Sequence, residues 1–578
     1  MKKRGFTLVE LLAVIVILAI IALIATPIIL NVIKDAKYES ANRSLEGYLD
    51  AIEKSLLENE LEDEKIEIQN DGCYDVETIN KYISIKGNKP TEGEVCIENK
   101  KILSAVKIKI DGYELSYSGG KIIEEYTEEI LNGADPIIKG NLVAVTIEDD
   151  GTVKKADELK KWYSYENKKW ANAVILKENK NYKIGETIKE ENIKQYYVWI
   201  PRYSYKLWNV NSNNTENVGK PIEIKFGSEA KTEGTNNGNH YIHPAFTNFN
   251  TNGIWVGKYE ISYDEETYTN SSKFLTTNPN TSSATESSKI IIKPNVRSLT
   301  NKNVSSLYTL IRGIDSSLNS HMMTNMEWGA TAYLTYSKYG RCNETTCSEV
   351  TINNVNTGYY GSSAVFTGQW QYGTTITGCA ADSVSASLVS NVSSCTNKYN
   401  TSKGYLASTT GNISGIYDMS GGTWEYVMGV IADENGKAYS GRNSFYESGF
   451  KGKYGCPTCD GNTSGLTENT TGKDFPSDAR YYDLYRANSN VLADDTWYKY
   501  DNGKLGDATK EIANTKANAS IGDRGLWYSD YAYFATPTYP WVIRGGSWSH
   551  GTGAGFFNFR RSGGRADGYN SARSVLAY

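Results

Sequence analysis

Lys2-Lys3-Arg4-Gly5-Phe6-Thr7-Leu8-Val9-Glu10-Leu11-Leu12 opens a chain of 578 residues, and the reading of this stretch decides what the rest must be. Three cations precede a glycine, and from Phe6 to Leu30 the sequence is then almost unbroken apolar, with Glu10 its only charge. At about 1.5 Å per residue such a helix exceeds the roughly 30 Å hydrocarbon core of a bilayer. The basic cluster is expected to stay cytoplasmic, which sends the remainder of the chain outward. A common secretory signal has a shorter apolar core and a small-residue cleavage site after it, whereas here the glycine comes before it. A permanent single-span anchor accounts for the length but leaves Gly5 and Glu10 without a purpose. A lone carboxylate in hydrocarbon is costly enough to demand a cationic partner.

The segment Gly5 to Leu12 resembles the cleavage and methylation motif of type IV pilins and pseudopilins. In that family a prepilin peptidase cuts after the glycine and methylates the new amino terminus. The resemblance therefore implies a leader over residues 1–5 and a mature chain starting at Phe6. It also implies that Glu10 meets the Phe6 ammonium of a neighbouring subunit, with Pro27 at the family's helix-bending proline. The partners implied are the peptidase, other pilin subunits through the N-terminal helix, and the membrane through residues 6–30 before assembly. The implied location is the bacterial cell surface or a pilus, with the inner or cytoplasmic membrane as the earlier stop.

Beyond the apolar run, Ile33, Ala36, Leu45, Leu49, Ile52, Leu56 and Leu57 recur among charges at helical spacing, which predicts one long helix over 6–60. Val106, Ile108 and Ile110 alternate, as do Leu115 and Tyr117, and Asp111-Gly112 between them predicts a tight hairpin. Residues 61–128 are thus expected as a small antiparallel β head. Residues 129–194, with Asn141 to Ile147 and the pairs Trp162-Tyr163 and Trp170-Ala171, are expected as a separate β spacer module. The fold class expected is α+β, with a large domain over 195–578.

Composition limits the functions available. The net charge of −6 and a pI near 5.6 give no general attraction to nucleic acid, and no nucleic-acid partner is expected. With 43 Tyr, 52 Gly and only 12 Pro, loop-rich β structure outweighs helix beyond the N-terminus. The eight cysteines form four sequence-local pairs, Cys73 with Cys96, Cys342 with Cys347, Cys379 with Cys395, and Cys456 with Cys459, which read as disulfides of an oxidising compartment. Cys456 and Cys459 also have zinc-knuckle spacing, but no second such pair and no histidine cluster completes a site. No metal site or cofactor is expected, with a structural calcium left open.

In the large domain, Tyr197 to Arg202, Gly253 to Glu260, Met323 to Ala330, Asp418 to Met428 and Arg544 to Trp548 together, in this order, resemble the formylglycine-generating-enzyme type of C-type-lectin fold. The enzymes of that family depend on cysteines after the segment matching Arg544 to Trp548. This chain has none after Trp548, so catalysis is not expected. What remains is a display scaffold. Its tail, 549–573, mixes aromatic, Arg and small polar residues in the manner of a paratope. It resembles the variable region of proteins diversified by adenine-mutating retroelements, whose products exclude Lys, Glu, Gln, Met and Trp; none of these occurs from Ser549 to Tyr578.

The ligand-contacting candidates are Ser549, His550, Phe556, Asn558, Arg560, Arg561, Ser562, Arg565, Asp567, Tyr569 and Asn570. Strand alternation would set Phe557, Phe559 and Arg561 against Phe556, Asn558 and Arg560, so some of these rings must be core. The function expected is a minor or tip pilin-like adhesin for an external protein or glycan. The alternative is a structural pilin or secretion-system pseudopilin with no ligand.

Overall fold

The computed structural model describes residues 40–57, 72–123, 131–207, 220–277, 284–358, 374–432, 447–454, 467–486, 506–509 and 527–578, short gaps within these ranges excepted. Gly5, Phe6, Glu10, the expected membrane-spanning stretch 6–30 and the pair Cys456 and Cys459 lie outside the described residues. No helix among the described residues is long and apolar enough to cross a membrane. Helix and sheet are mixed, and most strand pairs are antiparallel. The chain divides into two compact units, the first over residues 1–127 with 159–161, the second over the rest.

In the first unit, helix α1 covers residues 40–57. Ala41, Leu45, Tyr48, Leu49 and Ile52 are buried at the i, i+4, i+7, i+8 and i+11 positions that one helical face requires. They pack on Val95, Ile97, Ile102, Ala105, Ile108, Ile110 and Leu115 of the sheet, and each of the larger side chains contributes roughly 1.5–3 kcal/mol when fully buried. Leu57, expected on the same stripe, is 57% exposed because the face has turned away by the end of the helix.

The sheet is a meander of β1 (Gly72–Asp75), β2 (Glu92–Glu98), β3 (Lys101–Ile110), β4 (Tyr113–Ser118) and β5 (Lys121–Ile123), in that order. β3 and β4 meet as the expected hairpin, with Ile110 opposite Tyr113 and Asp111 at a φ of +52°. The Asp111 carboxylate accepts from Ser44 of α1 at 2.7 Å, so the turn is tied to the helix. Cys73 and Cys96 are directly opposed on β1 and β2 and form a disulfide.

In the second unit, the largest sheet holds β6 (Leu142–Ile147), β7 (Val153–Lys155), β8 (Asn172–Leu176), β9 (Thr187–Ile188), β10 (Ile193–Pro201), β11 (Gly253–Gly257), β12 (His321–Met322) and β18 (Ser574–Leu576). They make one eight-stranded antiparallel sheet ordered β12-β18-β11-β10-β8-β6-β7-β9. This corrects the expectation of a separate spacer over 129–194, whose strands are instead half of the large domain's main sheet. Two indoles make the attachment concrete: Trp199 Nε1 donates to the Ala134 carbonyl at 2.8 Å and Trp255 Nε1 to that of Ile137 at 2.9 Å. Both rings are buried and lie 5.2 Å apart, so residues 134–137 satisfy donors that the core could not leave unpaired.

A second sheet holds β13 (Trp424–Ala432), β14 (Asp483–Arg486), β15 (Trp541–Gly545), β16 (Gly555–Ser562) and β17 (Asn570–Ala572). Its order is β14-β13-β15-β16, with β17 parallel to the start of β13. Helix α2 (Asn325–Thr335) is buried along its length and begins in a capping box between Thr324 and Glu327. Disulfides Cys342–Cys347 and Cys379–Cys395 close two loops of this unit, as expected.

β17 ends at Ala572 in the second sheet and β18 begins at Ser574 in the first, so Arg573 is where the chain crosses between them. Its guanidinium is buried and donates twice to Glu425 of β13, to the Gly257 carbonyl of β11 at 2.8 Å and to that of Tyr417 at 2.9 Å. One side chain therefore clamps both sheets.

Candidate functional site

The tail reaches the surface through β16, and the register around it decides which residues are available. Tyr426, Ile543 and Arg560 are consecutive cross-strand partners on β13, β15 and β16. Alternation puts Asn558 and Ser562 on their face and Phe557, Phe559 and Arg561 on the other. The guanidinium of Arg560 accordingly lies 5.9 Å from the Trp424 ring, whereas that of Arg561 lies 4.2 Å from Tyr533 and 4.8 Å from Tyr539. Arg560 and Arg561, adjacent in sequence, cannot serve one contact surface.

Three of the expected ligand contacts are interior. Phe556 is fully buried against Trp328 and Tyr336. Asn558 is also fully buried, and its amide donates to the Gly553 carbonyl, so it holds up the loop that precedes its own strand. Asn570 is 5% exposed and donates to the Tyr426 hydroxyl at 3.1 Å. These three correct the sequence expectation: their polar or aromatic character serves the core and the loop.

The loop over residues 546–554 is fixed at both ends. Gly545 and Gly546 have φ of +83° and +76°, and a Cβ at Gly546 would sit 2.7 Å from the Ala554 Cα. Trp548 N donates to the Gly422 carbonyl at 2.8 Å, and Tyr531 N to that of Gly553 at 3.0 Å. His550 Nδ1 lies 2.7 Å from the Ser547 hydroxyl. Burial, and next the nearby Arg560 charge, push His550 down to about 4, so it is neutral at physiological pH.

Ser549, Arg560 and Arg565 are exposed, and His550, Ser562, Asp567 and Tyr569 are partly so. They form one patch. Tyr569 lies flat on Trp548, with ring centroids 4.9 Å apart and planes 13° from parallel. The Trp424 ring is 4.9 Å from that of His550, which also meets Tyr531 at 5.9 Å. The Tyr426 hydroxyl joins the Ser562 hydroxyl at 2.8 Å and donates to the Arg565 carbonyl at 3.0 Å, and Arg565 pairs with Asp567 at 3.5 Å. Trp424, Tyr426, Tyr531 and Trp548 escape sequence reasoning. Their one signal is the aromatic density of the flanking motifs, which gives no hint of its proximity to the tail.

Beneath this surface, Glu260, Asp418 and Glu425 are buried. Burial raises the carboxyl pKa of all three: Glu260 well above the usual range, Asp418 to about 6 and Glu425 to about 7, with Arg573 opposing the rise at the last two. Glu260 accepts from Thr423 N at 2.8 Å, and Asp418 from Gly378 N at 2.9 Å and Asn353 at 2.9 Å. Among the described residues, the one group with metal-ligand proximity is Cys73, Glu94 and Cys96, and its two sulfurs are joined to each other.

No curated protein matches the chain. Residues 1–26 match the family described as the prokaryotic N-terminal methylation motif. The chain therefore carries at its N-terminus the motif that directs prepilin-peptidase processing and assembly with other pilins, and with it the mark of a surface or membrane-associated component of a type IV pilus or pseudopilus.

Proposed function

We propose that the chain is a minor or tip pilin-like subunit whose large second unit, a C-type-lectin-like display scaffold, binds an external ligand through Ser549, His550, Arg560, Ser562, Arg565, Asp567 and Tyr569. The observation that carries this reading is the division of the tail. Its framework residues Phe556, Asn558, Asn570 and Arg573 are buried, while Ser549, Arg560 and Arg565 are exposed and His550, Ser562, Asp567 and Tyr569 partly so, beside the rings of Trp424, Tyr531 and Trp548. A surface built on rigid rings with adaptable polar tips suits recognition. Its role is binding without catalysis: the buried acids Asp418 and Glu425 are engaged by the Gly378 amide and Asn353 and by Arg573.

Adhesion of cells or purified fibres carrying Arg560→Ala with Tyr569→Ala tests the proposal. Loss of adhesion with normal subunit incorporation supports it, and unchanged adhesion overturns it. The retroelement resemblance adds a second expectation, that diversified copies of the gene differ at the exposed positions and keep the buried ones. A neighbouring near-copy of the gene's 3′ end that differs only at adenines, beside a reverse transcriptase, is the sign to look for, and its absence sinks the diversification claim.

A further inference from the structure

Resting on that reading of the surface, we infer that the ligand is an acidic carbohydrate, a pyranose bearing a carboxylate, held by Arg560 with Tyr569 as its stacking platform. Arg560 is exposed, and among the described residues its guanidinium has no hydrogen bond or ion pair, only the Trp424 ring beneath it at 5.9 Å. A planar fork braced on an indole is preorganised for bidentate capture of a carboxylate. Arg565 supplies a second exposed guanidinium, partly offset by Asp567, and no other acid occurs between residues 549 and 578. The exposed and partly exposed charges of the tail on this side are thus two guanidiniums against one carboxylate, on a chain whose net charge is −6.

The apolar content of the patch favours a sugar over a protein partner. Residues 549–573 expose no large aliphatic side chain, and the three phenylalanines are buried. Tyr569 stacks on Trp548 and is partly accessible. Ring faces of this kind suit the C–H face of a pyranose, and protein hot spots rely on fully desolvated anchors in pockets. Ser549 is exposed and Ser562 partly so, with their hydroxyls bonded to those of Ser547 and Tyr426.

The test uses the purified full chain on immobilised oligosaccharides containing glucuronate, galacturonate or N-acetylneuraminate. Each is paired with its carboxyl-reduced counterpart. At least one acidic member is expected to bind on the order of 10-fold more tightly than its reduced form. Arg560→Ala should erase that difference, whereas Arg561→Ala, on the other face of β16, should leave it. Tyr569→Ala should weaken both members of a pair. Binding indifferent to carboxyl reduction, no binding to any member, or equal effects of the two arginine variants overturns the inference. If cells still adhere through Arg560 and Tyr569 while no glycan binds, the ligand is of another class and the proposed function survives without this identification.

Discussion

Arg573→Met removes the clamp between the two sheets and should destabilise the second unit severely. The side chain is fully buried, as is Glu425, and the substitution keeps its approximate length while deleting four hydrogen bonds. Breaking a buried ion pair from one side costs about 3–5 kcal/mol, because the surviving Glu425 carboxyl must either stay charged without a partner or take up a proton. Two backbone carbonyls, of Gly257 and Tyr417, also lose their donor. Together the loss is roughly 4–6 kcal/mol, a large share of the 5–15 kcal/mol typical of a domain. Pairing it with Glu425→Gln replaces the partnerless carboxyl with a neutral amide and should recover about 2 kcal/mol at alkaline pH, where that carboxyl would otherwise be charged. Urea unfolding of the purified chain followed by tryptophan fluorescence measures both. A loss under about 1 kcal/mol, or strict additivity of the two substitutions, refutes the clamp.

Gly546→Ala forces a side chain into a positive-φ turn against Ala554 and should cost on the order of 2 kcal/mol, with weakened ligand binding, readable by thermal melting and adhesion together. A carboxyl raised by burial adds stability below its unfolded pKa and loses it as pH climbs through the folded value. Glu260, Asp418 and Glu425 should therefore make the second unit less stable at pH 8 than at pH 6, and Glu260→Gln should raise Tm at pH 8 while changing it little near pH 5. A fragment beginning at residue 195, the boundary drawn from sequence, should fail to fold cooperatively, whereas one beginning at residue 128 should fold, as circular dichroism melts would show.

The parts of the fold that sequence reveals are those governed by short-range periodicity. Leu45, Leu49 and Ile52 repeat at helical spacing, and Asp111-Gly112 sits between alternating strands, so α1 and the β3–β4 hairpin are legible in the residues themselves. The expectation of a spacer fails because its short strands have no local mark of their partners. β10 joins β8 on one side and β11, more than fifty residues on, at the other; β18 enters from the far end of the chain.

The tail poses a similar difficulty. Alternation along β16 implies two faces but does not say which is core, since that depends on β15 and on α2 lying beneath. Asn558 and Asn570 resemble contact residues in sequence, yet each spends its amide on a neighbour that only the fold supplies. Arg573 falls inside the stretch expected to vary and proves to be the residue joining the sheets.

The most direct test of the account is the amino terminus of the protein recovered from native fibres or membranes. Intact-mass and peptide mass spectrometry should find a chain that begins at Phe6, methylated on its amine and lacking residues 1–5. A chain that begins at Met1, or one cut after the apolar stretch, would contradict the pilin-like origin on which the display of the tail depends.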